Sequence, residues 1–215
     1  MAYVLGFFAA DGSMIRNNRG AHFIEFHIGD LDILRKIRSI LNSNHKISKL
    51  TKKSNRYNSI LESYRLQIGS KEIFCDLTEL GFSAKKTYRL VVPEMPANCF
   101  SGFVRGYFDG DGSVWTGLIH KERQTKHLSI ITVFTSGCGP FLDNLRSGLA
   151  RNGIIGKVRC DKGFYRLSYS ILGSIKLAEF MYKDCQNGLF LKRKKTIFDK
   201  YIHHRNKNAV VAQLG

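Results

Sequence analysis

The apolar positions of this chain change period from segment to segment, and the changes mark out its elements. Residues 2–10 are an almost continuous apolar run in which Gly6 and Ala10 stand four apart, and residues 103–110 repeat the arrangement with Gly106 and Gly110. Both runs read as helices, stopping at about Ala10 and Gly110 on glycines able to take φ > 0. After a polar strand and turn around Asn17, Asn18 and Gly20, the period becomes two. Ile24, Phe26 and Ile28 alternate with Phe23, Glu25 and His27, so one strand face is core and the other is presented outward. From Leu31 to Leu41 apolar residues recur at helical spacing behind Asp30, a candidate N-cap. Residues 45–52 and 59–69 read as strands, with Tyr64, Leu66 and Ile68 alternating with Arg65 and Gln67, and 71–80 as a helix closing at Gly81.

The segment 82–97 holds Pro93 and Pro96, two of the three prolines, and interrupts the helical pattern. It separates a first repeat, 1–81, from a second, 98–215, that replays it: motif helix, strands near 113–121 and 127–135, a helix over 141–152, strands over 156–160 and 165–171, and a helix from Ser174 to about Cys185. Residues 192–207 follow as a densely basic segment. Tyr64-Arg65-Leu66 is answered by Tyr165-Arg166-Leu167, an independent sign of duplication. The fold class is therefore α+β, two similar αββαββα halves each with a four-stranded antiparallel sheet.

The duplication gives the chemistry its focus. Val4-Leu-Gly-Phe-Phe-Ala-Ala-Asp-Gly-Ser13 and Val104-Arg-Gly-Tyr-Phe-Asp-Gly-Asp-Gly-Ser113 place Asp11 and Asp111 at the same point of each copy, 100 positions apart. At a helix C-terminus an anion meets the negative end of the macrodipole, at a cost of roughly 0.3–1 kcal/mol. If the small-residue faces pack together, the two carboxylates converge, and at about 4 Å they repel by roughly 4 kcal/mol at an effective dielectric near 20. A divalent metal between them removes both penalties, and oxygen ligands favour Mg²⁺ or a similar hard ion. An isolated Asp-Gly after a helix is more often a simple turn; two matched copies reverse those odds.

These stretches resemble the paired motifs of the LAGLIDADG homing endonucleases, in the single-chain form that carries two motifs and folds as a pseudo-dimer. The second copy, Gly106 to Gly112, matches closely. In the first, Ala9 stands where the family has the first of its two acidic residues, filled by Asp109 in the second copy; that residue is generally structural, so the departure weakens the helix end more than the chemistry. The resemblance implies catalytic, metal-binding carboxylates at Asp11 and Asp111, with Ala10 and Gly110 in the same metal site. It also implies sheets forming a saddle over double-stranded DNA, motif helices at the centre, and one cut per strand with Mg²⁺, for which Mn²⁺ substitutes, while Ca²⁺ binds without supporting cleavage. On that fold the outward residues meet DNA: Glu25 and His27, Arg65 and Gln67, Lys157 and Arg159, Arg166 and Ser168, joined by Arg16 and Lys46. Strand 127–135 is apolar at both parities and its DNA face stays open. Lys85-Lys86-Thr87 and Lys192-Arg-Lys-Lys-Thr196 follow corresponding helices, which nominates Lys86 and either Lys192 or Lys194 as basic catalytic residues or phosphate contacts. The glutamine that some members place before the middle helix has no counterpart at Gly29-Asp30 or Ser136-Gly137.

Composition agrees. A net charge of +17 over 215 residues predicts a polyanionic partner through phosphate neutralisation, and 43% hydrophobic content supports a real core. No apolar run approaches the roughly 18 residues of a membrane span and no signal segment opens the chain, so a soluble intracellular protein is expected, and the resemblance to the single-chain pseudo-dimeric form implies a monomer. The five cysteines show no C-x-x-C pair and read as reduced and mostly buried. An intron RNA maturase, or a nuclease-inactive DNA-binding protein of the same fold, is the alternative; intact Asp11 and Asp111 favour cleavage.

Overall fold

The computed structural model describes residues 1–54, 59–84, 89–119, 127–185 and 188–213. The first half runs α1 (Ala2–Asp11), β1 (Gly12–Arg16), β2 (His22–Ile28), α2 (Leu31–Ile40), β3 (Ile47–Ser54), β4 (Ser59–Gly69) and α3 (Lys71–Glu79). The second runs α4 (Ala97–Asp111), β5 (Gly112–Ile119), β6 (His127–Ser136), α5 (Gly139–Ala150), β7 (Lys157–Asp161), β8 (Phe164–Tyr169) and α6 (Ile171–Tyr182), then continues into α7 (Lys192–Gln213). Each half holds one antiparallel sheet of four strands, in the orders β1-β2-β4-β3 and β5-β6-β8-β7. The α+β duplication read from the sequence is thus present. Of the two additions, α4 begins six residues earlier than the periodicity implied, and the basic segment is a helix, its buried Lys194, Phe198 and Tyr201 falling at helical spacing beneath the charge.

Local chemistry explains most boundaries. Asp30 caps α2 by accepting from the Ile33 amide at 3.3 Å, and Ser70 does the same for Ile73 at the start of α3. α5 opens with a proline in its first turn. Ile24, Phe26, Leu66 and Ile68 face the core of the first half; Ile130, Phe134, Leu167 and Tyr169 face that of the second. This settles β6: its even-numbered residues are inward, so Ser129, Ile131, Val133 and Thr135 lie on the opposite face.

The two halves meet through α1 and α4. A Cβ on Gly6 would lie 1.9 Å from the Phe103 carbonyl oxygen, and one on Gly106 would lie 2.0 Å from that of Tyr3, so the backbones touch reciprocally about a pseudo-twofold axis. Where Gly110 stands, a Cβ would meet that of Ala10 at 2.3 Å; a methyl on one helix fills the space left by the other. One expectation is corrected. α1 and α4 run through Asp11 and Asp111, and the following glycines are extended, with φ −79° at Gly12 and −89° at Gly112. Glycine is needed there because the rings of Phe8 and Phe108 lie against its α-carbon, at 2.1 and 2.2 Å from any added Cβ. Of the cysteines, all unbridged, only Cys138 is buried; Cys75 and Cys160 are exposed.

Candidate active site

The glycine contacts bring the C-terminal ends of α1 and α4 side by side, and with them the two motif carboxylates. Asp11 Oδ2 lies 3.1 Å from where a Cβ of Gly110 would be, so the side chain of the first motif rests on the helix end of the second. Asp11 is half-buried and Asp111 exposed. Both charges act on Lys194 and on Tyr107, as groups sharing one locus do.

Lys194 supplies the cation that a helix C-terminus bearing carboxylates requires. Only 6% exposed, it sends Nζ to the carbonyl oxygens of Phe108 (2.7 Å), Asp109 (2.8 Å) and Gly112 (2.6 Å), with Gly110 farther off at 3.5 Å. It thereby caps the last turn of α4 and opposes its dipole. Burial pushes its pKa down to about 8, against the pull of Asp109, Asp11 and Asp111 in the other direction. Lys192 is not brought to this point: it is exposed, and the Asp32 carboxyl on α2, held down first by a hydrogen bond from Lys36, also feels its charge. Lys86 lies outside the described residues. By sequence alone, the recurring Lys-Lys-Thr pairs Lys194 with Lys85.

Sequence reading missed a buried network around Asp109. Its Oδ2 accepts from the Tyr3 hydroxyl across the helix pair and from the Leu191 amide just before α7, both at 2.8 Å. Burial raises its pKa to about 6, while the bonds from Tyr3 and Leu191 and the nearby Lys194 and Arg105 hold it back. Arg105 Nε donates to the Leu189 carbonyl at 2.9 Å, and its terminal nitrogen donates to that of Met181. This network fixes α7, and so Lys194, to the motif helix. It also accounts for Ala9, the departure noted in the first motif. The pseudo-symmetric mate of Tyr3 is Phe103, which has no hydroxyl to offer, and Ala9 and Phe103 are both buried. An acid at position 9 would be buried without that donor, so the two sequence differences are one structural choice. The only advance signal was that paired substitution, Tyr3/Phe103 with Ala9/Asp109.

The strand faces sort the remaining nominated residues. Register places Ser13, Glu25 and Gln67 in one cross-strand row and His27 and Arg65 in the next. The second half places Ser113, Val133, Ser168 and Lys157 in the matching row, then Thr135, Arg166 and Arg159. All lie on the faces opposite the cores. Glu25 receives a bond from Gln67 at 3.3 Å and lies 3.9 Å from Arg65; His27 bonds Ser63 at 2.8 Å. Arg166 pairs with Asp161 at 3.2 Å and sits over the Phe164 ring. One nominated residue does not join them: Arg16 pairs with His22 at the parity of Met14 and Ile24, the core side. Lys46 lies just before β3, preceding the Ile47–Leu66 pair as Lys157 precedes Val158–Leu167. Two residues the sequence did not single out do join: Trp115 and Ile131, directly paired and 51% and 39% exposed.

The donor set suits a hard divalent ion. Two carboxylates and the carbonyls of Ala10 and Gly110 offer oxygen alone. Among the described residues no group of three or more His, Cys, Asp and Glu side chains forms a metal cluster, so such an ion would take its remaining ligands from backbone, water or substrate. No described helix is long and apolar enough to cross a membrane.

Comparison with known proteins places this geometry. No curated protein matches the sequence. Among solved structures, the chain is similar to the meganuclease I-SmaMI bound to uncleaveable DNA, at 15% identity and TM-score 0.64, over 96% of this chain and 90% of that one. It is similar to the homing endonuclease I-WcaI bound to its DNA recognition sequence, at 12% identity and TM-score 0.62, over 91% and 83%. Variants of the homing endonuclease I-DmoI align at 16% identity and TM-score 0.58, over 89% and 94%. At these identities the likeness establishes the fold. The sequence model of the LAGLIDADG-like domain matches twice, over residues 1–80 and 99–183, and with its two motif helices packed glycine to backbone the chain belongs to that family.

Proposed function

We propose that this protein is a site-specific double-strand DNA endonuclease of the homing type, metal-dependent and active as a monomer whose two halves serve the two strands. The observation that carries the reading is the convergence of Asp11 and Asp111 at abutting helix ends, beside a buried lysine and between two outward sheet faces. A binder has no need of that anion pair, which opposes DNA phosphates and helix dipoles alike. Asp11 and Asp111, with the carbonyls of Ala10 and Gly110, would hold Mg²⁺ or a similar ion. When bound, it supplies the positive charge that stabilises the phosphodiester oxygens and activates water. Lys194 keeps the α4 end in place and offsets its negative potential from behind.

The outward faces divide the recognition work unequally. In the first half Arg65 and Gln67 carry the groups that read guanine and adenine by paired hydrogen bonds, with Glu25 an acceptor for the cytosine amine. In the second half Arg166 answers Arg65, but Glu25 and Gln67 are answered by Val133 and Ser168, with Lys157 in the same row, and Trp115 and Ile131 form an exposed apolar pair beside it. Such surface suits thymine methyl groups. The target should therefore be asymmetric. The test of the reading is selection of cleaved sites from a randomised duplex library. In the selected site, replacing thymine by uracil across the second half-site should weaken binding about three- to fivefold per contacted methyl. The same replacement in positions read by Arg65 and Gln67 should have little effect. Equal loss in both halves would overturn the division.

A further inference from the structure

α4 carries two charged side chains on one face, Arg105 and Asp109, four residues apart and both buried. Arg105 Nε donates to the Leu189 carbonyl at 2.9 Å and its terminal nitrogen to that of Met181. One guanidinium thus joins the last turn of α6 to the connection that leads into α7. Asp109 holds the next point, accepting from the Leu191 amide at 2.8 Å. The Leu191 carbonyl then accepts from the amides of Lys194 and Lys195 as α7 begins, at 3.0 and 3.1 Å. Lys194 closes the circuit on the carbonyls of Phe108, Asp109 and Gly112. Tyr3 serves both charges: Arg105 lies over its ring at 5.6 Å and its hydroxyl donates to Asp109.

Pseudo-symmetry supplies the control. Leu5 stands at the place of Arg105 and Ala9 at that of Asp109, and Phe103 is the mate of Tyr3. None of the three has a polar side-chain atom, so the first half cannot pin the chain after α3 in this way. What the halves share is apolar: Phe82 packs on Phe8 with ring centroids 5.6 Å apart, as Phe198 packs on Phe108 at 5.7 Å. The fold therefore does not need a buried guanidinium, which is unfavourable away from water unless its hydrogen bonds are met. Nor does Arg105 serve DNA contact, since it is buried and bonded to backbone carbonyls. Its effect is to fix where α7 starts and, through Lys194, the α4 end that carries Asp111. Asp11 belongs to the other helix end.

Resting on the endonuclease reading above, we propose that Arg105 is a positioning residue for the second half's share of the reaction alone. By holding the α6–α7 connection it sets Lys194 against the α4 end, so cutting of one target strand depends on Arg105 and cutting of the other does not. A displacement of about 1 Å at a reacting group lowers a rate by as much as about a hundredfold. A loosened connection is therefore enough to separate the two cuts.

The test gives the second half the residues of the first, in Tyr3→Phe/Arg105→Leu/Asp109→Ala, a change that leaves no buried side chain of the three without its partner. The selected target, end-labelled on either strand, is cut in Mg²⁺ and the strands are resolved on a denaturing gel. The ratio of the two strand rates should shift at least about tenfold from that of the wild type. The strand that slows should be the one most slowed by Lys194→Met. Because the same folded molecules cut both strands, a partly unfolded preparation lowers both rates and leaves the ratio unchanged. Arg105→Lys, the milder variant, keeps the charge but loses the fork that spans two carbonyls, and should shift the ratio the same way by about threefold. A second arm needs neither DNA nor metal. The Cys185 thiol rests on the Leu189 carbonyl at 3.8 Å, whereas Cys75 and Cys160 are exposed. Alkylation mapped by mass spectrometry should show Cys185 labelling, relative to Cys75, rise at least about fivefold in the triple variant as the connection opens. Equal slowing of both strands, an unchanged ratio in either variant, or unchanged Cys185 labelling would overturn the proposal. A wild type that cuts neither strand would sink the endonuclease reading and the strand dependence with it, while the thiol arm would still decide whether Arg105 holds the connection.

Discussion

Replacing Asp111 by Asn should abolish double-strand cleavage while leaving target binding intact or tighter, and Asp11→Asn should do the same. Each substitution is nearly isosteric, so the α1 and α4 ends keep their contact. What is lost is one of two negative charges in a site where, among the described residues, no third acidic side chain stands close enough to replace it. Loss of a ligand that fixes both metal and scissile phosphate removes several kcal/mol of transition-state stabilisation, about a thousandfold or more in rate. Binding moves the other way because each Asn relieves repulsion between that residue and DNA phosphates. Rates of linear and nicked product from a supercoiled plasmid, beside equilibrium binding in Ca²⁺, separate the two effects. A variant that cuts at the wild-type rate would exclude that Asp from the site; one that loses binding and cleavage together would make its role structural.

The largest effect on stability is expected at the helix contact. In Gly106→Ala the new Cβ would sit 2.0 Å from the Tyr3 carbonyl oxygen and 2.7 Å from the Phe7 nitrogen. Both are backbone atoms of the opposing helix, so no rotamer change relieves the overlap and the helices must separate. Overpacking of this kind costs roughly 3 kcal/mol or more, which lowers Tm by about 6–12 °C in a chain of this size. Gly6→Ala should behave alike, because its Cβ meets Phe103 in the same way. Gly29→Ala is the control, since its Cβ would meet only the Glu62 carbonyl oxygen, at an ordinary 3.7 Å. Thermal unfolding of the three variants decides the matter; a Gly106→Ala protein as stable as Gly29→Ala would mean that the helices do not approach as closely as described. Because the same contact positions Asp11 against Gly110, cleavage by folded Gly106→Ala should also fall.

Much of this was legible in the sequence because two signals agreed. The motif repeat and the repeat of Tyr64-Arg65-Leu66 at Tyr165-Arg166-Leu167 carry nearly the same offset, and strands with one polar parity, such as β4, declare their faces directly. β6 did not, because Leu128, Ile130, Ile131, Val133 and Phe134 are apolar at both parities and only pairing with β8 shows which set is buried. α7 was hidden by its own charge. Lys194 reads as a surface lysine until the helix end it caps is in place, and Asp109 acquires its partner from a residue 106 positions away. Arg16 and Lys46 have no alternating pattern around them to declare a face, and only strand register shows that Arg16 shares the parity of Met14 and Ile24. The glycine after each motif helix was assigned to backbone freedom when the constraint is a ring lying against its α-carbon.

The most direct test of the account is a time course of the wild-type protein on a plasmid carrying the library-selected target, with Mg²⁺, Mn²⁺, Ca²⁺ or EDTA, resolving supercoiled, nicked and linear forms. Linear product with Mg²⁺ and Mn²⁺, and tight binding without cutting in Ca²⁺, is the result predicted. Tight, site-specific binding with no cleavage under any metal would contradict it.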